Sequence, residues 1–272
     1  MQLDSIRSIA RDAGTAIMRV YAREFRVRRK ADRSPLTDAD SIAHRIIVDA
    51  LEAEDPEIPI LSEESSELAP YSVRRGWTRY WLVDPLDGTK EFVKRNGQFT
   101  VNIALVENGC PVAGVVYAPA RDWMYWGSVG DGAFKSAGGG EPVQIRCAMV
   151  PESGSLRVVG SKSHLSTETR EYLKALRFQY GEVSFVAMGS SLKICLVADG
   201  SAELYPRLAP TMEWDTAAAH AVLIAAGGRL LDHGTGDELR YNKDNLLNGW
   251  FVAEGKRLGS SPRQQRDQAS AA

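Results

Sequence analysis

The sequence predicts an α/β protein. Helices pack on a largely antiparallel sheet over residues 1–150, and a second α/β part follows over 151–257. Three observations carry this reading. Two stretches near the N-terminus hold apolar residues at helical spacing. An Asn-Gly pair joins two alternating apolar runs, the strongest short signal for a hairpin. Beyond Pro151, short apolar runs alternate with helical patterns.

Leu3, Ile6, Ile9, Ala13, Ile17 and Val20 place an amphipathic helix over residues 3–25. The basic stretch Arg26–Ser34 reads as a loop or short ribbon. Thr37 or Asp38 can cap a second helix, whose apolar face is Ile42, Ile46, Ile47, Ala50 and Leu51. Asp40 falls in its first turn, where an acid suits the helix dipole. Ile58–Ser62 is a short strand that delivers Glu63 and Glu64, and adjacent side chains at a strand end point to opposite sides. Tyr80–Val83 is a buried strand running into a sharp Pro/Gly turn, Asp84–Thr89. Phe99–Val106 and Pro111–Tyr117 form the hairpin around Asn108-Gly109, and Trp123–Ser128 and Gly132–Lys135 extend the sheet.

In the second part, Leu156–Gly160 is a strand ending at Ser161-Lys162-Ser163-His164, Thr167–Leu176 a helix and Val183–Ala187 a strand. That strand runs into Gly189-Ser190-Ser191, which opens a helix over Leu192–Ala198. Ala202–Tyr205 is a strand leading to Pro206-Arg207. Glu213-Trp214-Asp215-Thr216 opens a helix of small residues, Ala217–Ala226, closed by Gly227-Gly228. Arg229–Leu231 and Trp250–Ala253 are the last strands. Residues 258–272, rich in Ser, Gln, Arg and Ala, read as a disordered tail.

Composition narrows the function. A formal net charge of −2 gives no basic field for nucleic acid. Cys110, Cys147 and Cys195 lie far apart, form no metal-spacing motif and read as free thiols of a reducing compartment. The N-terminus lacks an apolar signal core, and no run reaches transmembrane length. The expectation is a cytoplasmic protein, with peripheral contact at the inner membrane left open.

Chemistry concentrates on acids at turns: Asp40, Glu63, Asp84, Asp87 and Asp215. Asp84 and Asp87 sit three apart at the end of a core strand, and burying both without a partner is costly. Hard oxygens on a rigid turn suit Mg²⁺, although an Asp-Pro…Asp-Gly stretch alone is as readily a surface turn. At Gly189-Ser190-Ser191-Leu192-Lys193, backbone N–H groups at a helix start and a lysine make a candidate anion site.

The ordered series Thr37-Asp38-Ala39-Asp40, Ser62-Glu63-Glu64-Ser65, Asp84-Pro85-Leu86-Asp87-Gly88-Thr89 and Trp214-Asp215-Thr216 resembles the inositol monophosphatase-like superfamily of Mg²⁺-dependent, lithium-sensitive phosphatases. Within it, Trp81–Phe92, Gly189–Lys193 and Leu204-Tyr205-Pro206-Arg207 look like the bacterial 3′(2′),5′-bisphosphate nucleotidases, and the likeness runs from about residue 5 to 255. Lys90-Glu91-Phe92 favours that branch over inositol monophosphatases.

The resemblance implies a layered αβαβα sandwich of the inositol monophosphatase and fructose-1,6-bisphosphatase type, with the metal site between the two parts. It implies that Glu63, Asp84 and the Leu86 carbonyl hold one Mg²⁺. Asp84 bridges to a second, held also by Asp87 and Asp215, and a third, weaker ion has room. Thr89 and Asp40 position the attacking water, Asp40 or Glu63 takes its proton, and the N–H groups of Gly88 and Thr89 cradle the scissile phosphate. Gly189, Ser190 and Lys193, supported by Arg207, take a second phosphate. Asp215 and His164 also border the substrate. The activity implied is hydrolysis of adenosine 3′,5′-bisphosphate to AMP and phosphate in sulfate assimilation, with the related sulfated nucleotide as a further substrate. The rival readings are an inositol monophosphatase or broad sugar phosphatase, and a nucleotide-binding sensor. A monomer and a homodimer are both compatible.

Overall fold

The computed structural model describes residues 3–25, 27–29, 35–161 and 166–257; His164 and the tail from 258 lie outside the described residues. Helix α1 (Leu3–Tyr21) buries Ile6, Ile9, Ala13, Ile17 and Val20. It stops short of residue 25. Arg95 donates to the carbonyl oxygens of Tyr21 and Arg23, each at 2.6 Å, and so satisfies acceptors that a helix end leaves without partners. Strand β1 (Val27–Arg29) pairs antiparallel with β2 (Pro35–Thr37). Thr37 caps α2 (Asp38–Glu54): its hydroxyl accepts from the Ala39 N–H, and Asp40 accepts from the Thr37 N–H.

Strand β3 (Ile60–Ser62) and the short helix α3 (Tyr71–Arg74) lead to β4 (Arg79–Asp87). Here the structure departs from the sequence reading. The chain does not turn at Asp84; the strand continues to Asp87. Its pairing with β5 (Thr100–Glu107) passes from Asp84 opposite Asn102 to Asp87 opposite Thr100, so an extra residue is accommodated. Pro85 has no N–H to give the ladder, so a bulge there sacrifices little. The chain bends only at Gly88, whose φ of +89° suits glycine. Helix α4 (Thr89–Val93) follows.

Strands β6 (Cys110–Ala118), β7 (Trp123–Ser128), β8 (Gly132–Ala137) and β9 (Val143–Ile145) complete a seven-stranded sheet of order β3-β4-β5-β6-β7-β8-β9. β3 runs parallel to β4, and the later neighbours are antiparallel. Asn108 and Gly109 both have positive φ, as the tight hairpin between β5 and β6 requires.

The rest of the chain adds β10 (Gly154–Gly160), α5 (Thr167–Tyr180), β11 (Gly181–Ala187), α6 (Leu192–Ala198), β12 (Leu204–Arg207), β13 (Thr211–Met212), α7 (Ala217–Ala225), β14 (Arg229–Asp232), β15 (Leu247–Asn248) and β16 (Phe251–Glu254). A five-stranded sheet has the order β11-β10-β12-β16-β14, and β13 pairs with β15.

The apolar clusters define five layers. One face of the large sheet, with Trp81, Val83, Ile103 and Val115, packs on α1 and α2. The other face, with Tyr80, Leu82, Ala104 and Val116, packs on α6 and α7. Those helices also bury Val159, Tyr205, Leu230 and Phe251 of the small sheet. The far face of that sheet, with Leu156, Val158 and Leu204, packs on Leu173 and Leu176 of α5. The order is αβαβα. Strand alternation produces it, because neighbouring residues of β4 face opposite layers. The alanines of α7 permit the close approach: a Cβ at Gly114 of β6 would sit 2.3 Å from the Ala218 carbonyl oxygen. Among the described residues no helix is long and apolar enough to cross a membrane.

Candidate active site

Three acids meet at one end of the large sheet. Glu63 follows β3, Asp84 lies in β4 at the bulge, and Asp215 ends a 3₁₀ turn, Glu213–Asp215. One carboxylate oxygen of each lies within 4.8 Å of the others. The parallel alignment of β3 and β4 sets the first two side by side: Ser62 pairs with Val83, and the Glu63 N–H donates to the Val83 carbonyl at 3.1 Å. The Leu86 N–H donates to Asp84 at 3.0 Å, and the Met212 N–H donates to Asp215 at 2.8 Å. Glu213, fully buried, anchors the 3₁₀ turn. It accepts the N–H groups of Asn242 at 2.7 Å and Lys243 at 3.0 Å, and the Lys243 ammonium at 2.6 Å.

Asp87 lies outside that trio. Its Oδ2 accepts the Ser191 N–H at 2.5 Å. The Ser191 hydroxyl donates to Asn102 Oδ1 at 2.8 Å and lies 2.8 Å from Thr100 Oγ1. Asp87 therefore ties β4 to the start of α6. One N–H of the anion site read from the sequence is already occupied by a carboxylate.

Asp40 and Thr89 come together as the sequence reading requires. Asp40 Oδ2 accepts from both the N–H and the hydroxyl of Thr37, at 2.8 and 2.7 Å. That leaves Oδ1 toward Thr89, whose hydroxyl lies 3.4 Å from it and 3.4 Å from the Leu86 carbonyl oxygen.

A cavity of about 150 Å³ opens beside these groups. Asp87, Gly88 and Asp215 line it together with Gly189, Ser190, Lys193 and Arg207. Lys193 is buried; its ammonium donates to the Ser190 carbonyl at 2.6 Å and lies 5.4 Å from the centre of the Tyr205 ring. Gly189 is required by crowding, since a Cβ there would meet Gln98 and Glu91 at 3.0 Å. Arg207 donates to the Pro210 carbonyl at 3.1 Å.

Charge at the acidic end is unfavourable to itself. Burial, then the charges of Glu63, Asp87 and Asp215, push the Asp84 carboxyl well above the ordinary carboxylate range, with the Leu86 N–H acting the other way. Burial, then Asp87 and Glu63, do the same to Asp215. Burial raises Asp87 too, opposed by Lys193 and the Ser191 N–H. Lys193 is pushed down to about 8 by burial, against the pull of Asp87. Closely set hard oxygens that repel one another fit a divalent cation, and Mg²⁺ takes such donors.

Ser161, Tyr205, Thr211, Phe251 and Glu91 also line the cavity, and the sequence reading gave none of them a role in the site. Glu91 carried a signal, two positions beyond Thr89 in the quoted motif. Glu213 carried none, because its partners lie some thirty residues away.

Residues 2–269 match the model of the inositol monophosphatase family. The 3′(2′),5′-bisphosphate nucleotidase CysQ of Escherichia coli O157:H7 is 49% identical over 252 residues, covering 92% of this chain and 98% of that protein. The Haemophilus influenzae protein of the same name is 34% identical over 259 residues, covering 93% and 92%. The crystal structure of CysQ from Bacteroides thetaiotaomicron, a bacterial member of that family, superposes with a TM-score of 0.83 at 44% identity, covering 94% of this chain and 98% of that one. The extragenic suppressor protein suhB from Bartonella henselae shares the fold, with a TM-score of 0.74 at 24% identity over 99% and 98% of the two chains. The chain belongs to the inositol monophosphatase family.

Proposed function

We propose that this protein is a Mg²⁺-dependent 3′(2′),5′-bisphosphate nucleotidase that hydrolyses adenosine 3′,5′-bisphosphate to AMP and phosphate. The observation that carries the reading is one cavity lined by carboxylates, Asp87 and Asp215, and also by a buried lysine and an arginine, Lys193 and Arg207. A monophosphate needs only the carboxylates and the cations they would hold. A nucleotide with two phosphates also uses the cationic side chains, and the relatives' name points the same way.

In this reading Glu63, Asp84 and the Leu86 carbonyl would hold one Mg²⁺, and Asp84, Asp87 and Asp215 would hold a second. Bound there, the ions would supply an acidified water and offset charge on the leaving oxygen. Thr89 orients the water through its hydroxyl, and Asp40 Oδ1 receives the proton that Thr89 relays. Asp40 is fit for this because Thr37 fixes its other oxygen. The N–H groups of Gly88 and Thr89 face the scissile phosphate, and Ser190, Lys193 and Arg207 hold the other phosphate. The role is cytoplasmic clearance of a nucleotide by-product of sulfate assimilation.

The test is phosphate release from adenosine 3′,5′-bisphosphate and from inositol 1-phosphate, side by side, with Mg²⁺ and with added Li⁺. The expected result is strong preference for the nucleotide, lost with chelator and inhibited by lithium. Preference for inositol phosphate overturns the substrate assignment.

A further inference from the structure

Glu91 lines the cavity with Asp87 and Lys193. It projects from α4, and its Cγ lies against Gly189. Among the described residues its carboxylate accepts no hydrogen bond and closes no ion pair. Its charge pushes the Asp87 carboxyl up and helps Lys193 keep its proton. A negative group in this place repels every phosphate that enters. It serves binding only if the ligand brings a hydrogen-bond donor to it, since a carboxylate accepts and never donates. Of the ligands with two phosphates, a ribonucleoside bisphosphate brings one. Its ribose spans the two phosphates and carries a free hydroxyl beside the esterified carbon.

We propose that Glu91 is a specificity-determining residue that accepts a hydrogen bond from the free 2′-hydroxyl of the ribose, so that the protein selects ribonucleotide over deoxyribonucleotide bisphosphates. The inference rests on the nucleotidase reading above and deepens it. A site built around a substrate hydroxyl discriminates strongly against the analogue without it, because its own polar group is then left unpaired. A hydrogen bond to a charged acceptor corresponds to roughly a ten- to hundredfold effect.

The experiment compares adenosine 3′,5′-bisphosphate with 2′-deoxyadenosine 3′,5′-bisphosphate on the wild type, Glu91→Gln and Glu91→Ala, each checked for folding by thermal melting. The wild type is expected to favour the ribonucleotide by about ten- to hundredfold in kcat/KM. In Glu91→Ala that ratio falls toward one, through loss on the ribonucleotide alone, and Glu91→Gln, which keeps one acceptor oxygen, lies between. Equal turnover of both nucleotides by the wild type overturns the proposal while leaving the nucleotidase intact. Equal loss on both nucleotides in the variants also overturns it, and reduces Glu91 to a counter-charge for Lys193. Release from neither nucleotide, with release from inositol 1-phosphate, removes the nucleotidase reading itself and the proposal with it.

Discussion

Asp87 and Ser191, 104 residues apart, are joined by a 2.5 Å hydrogen bond from the Ser191 N–H to the Asp87 carboxylate. The bond links the end of β4 to the helix that carries Lys193. Ser191→Ala keeps the N–H but removes a buried hydroxyl held between Asn102 and Thr100. The expected loss is about 1–3 kcal/mol of stability, read by chemical denaturation. An unchanged midpoint would sink this account of how α6 is anchored.

The acidic trio opposes folding when no cation is bound, because Asp84 is buried among like charges. Asp84→Asn removes one charge and keeps the side-chain shape. The metal-free variant is expected to melt higher than the metal-free wild type, because one member of a like-charged buried cluster is removed. The Mg²⁺-induced rise in melting temperature, and activity, should both be lost. Calorimetric melts with and without Mg²⁺ decide it.

At the proposed metal site protons and Mg²⁺ would compete for the same oxygens. Asp84 and Asp215 have folded-state values raised above the ordinary 3.8, so the metal-free fold holds more protons than the unfolded chain between 3.8 and those raised values. Stability of the metal-free protein therefore increases as pH falls through that window and is lost as pH rises through the folded values. Mg²⁺ binding is expected to release protons, with an apparent affinity that increases with pH. Titration calorimetry in buffers of different ionisation enthalpy measures the release directly; zero release contradicts the assignment.

Lys193→Ala is expected to lower kcat/KM for adenosine 3′,5′-bisphosphate by tenfold or more, the scale of a charge-assisted hydrogen bond, while sparing monophosphates. Because burial pushes Lys193 down to about 8, the preference for the bisphosphate should weaken as pH rises beyond that point. Initial rates on both substrates from pH 7 to 9 test it, and parallel profiles would count against a second phosphate site at Lys193.

Glu213 is buried and holds the turn that presents Asp215. Glu213→Ala leaves two backbone N–H groups without their acceptor and removes one of three acceptors of the partly exposed Lys243 ammonium. A loss of about 1–3 kcal/mol is expected from the unsatisfied buried groups. Glu213→Gln keeps an acceptor and should lose less. Denaturation of the two variants separates these outcomes, and equal effects would argue against the ion pair.

The residues reveal how much of this was legible beforehand. The hairpin at Asn108-Gly109 and the cap at Thr37 are local, with partners a few positions away, and both were readable. Asp84-Pro85-Leu86-Asp87 was not, because a missing proline N–H is tolerated equally by a turn and by a bulged strand. The register against Asn102 and Thr100 decides between them, and that is a tertiary fact. Ser191 reads as an anion-binding turn when seen alone. Its N–H serves Asp87 because the sandwich brings β4 beneath α6. The acids could be picked out by type and order, but their mutual distances could not.

Glu63 and Asp215 are separated by more than half the chain, yet their oxygens share a space of 4.8 Å. During synthesis Glu63 and Asp84 emerge from the ribosome long before Asp215. The turn that carries Asp215 is held by Asn242 and Lys243, which emerge later still. A cation held by this trio would therefore stabilise only a chain made and folded past Lys243, and ligand-dependent protection would be withheld from every shorter one.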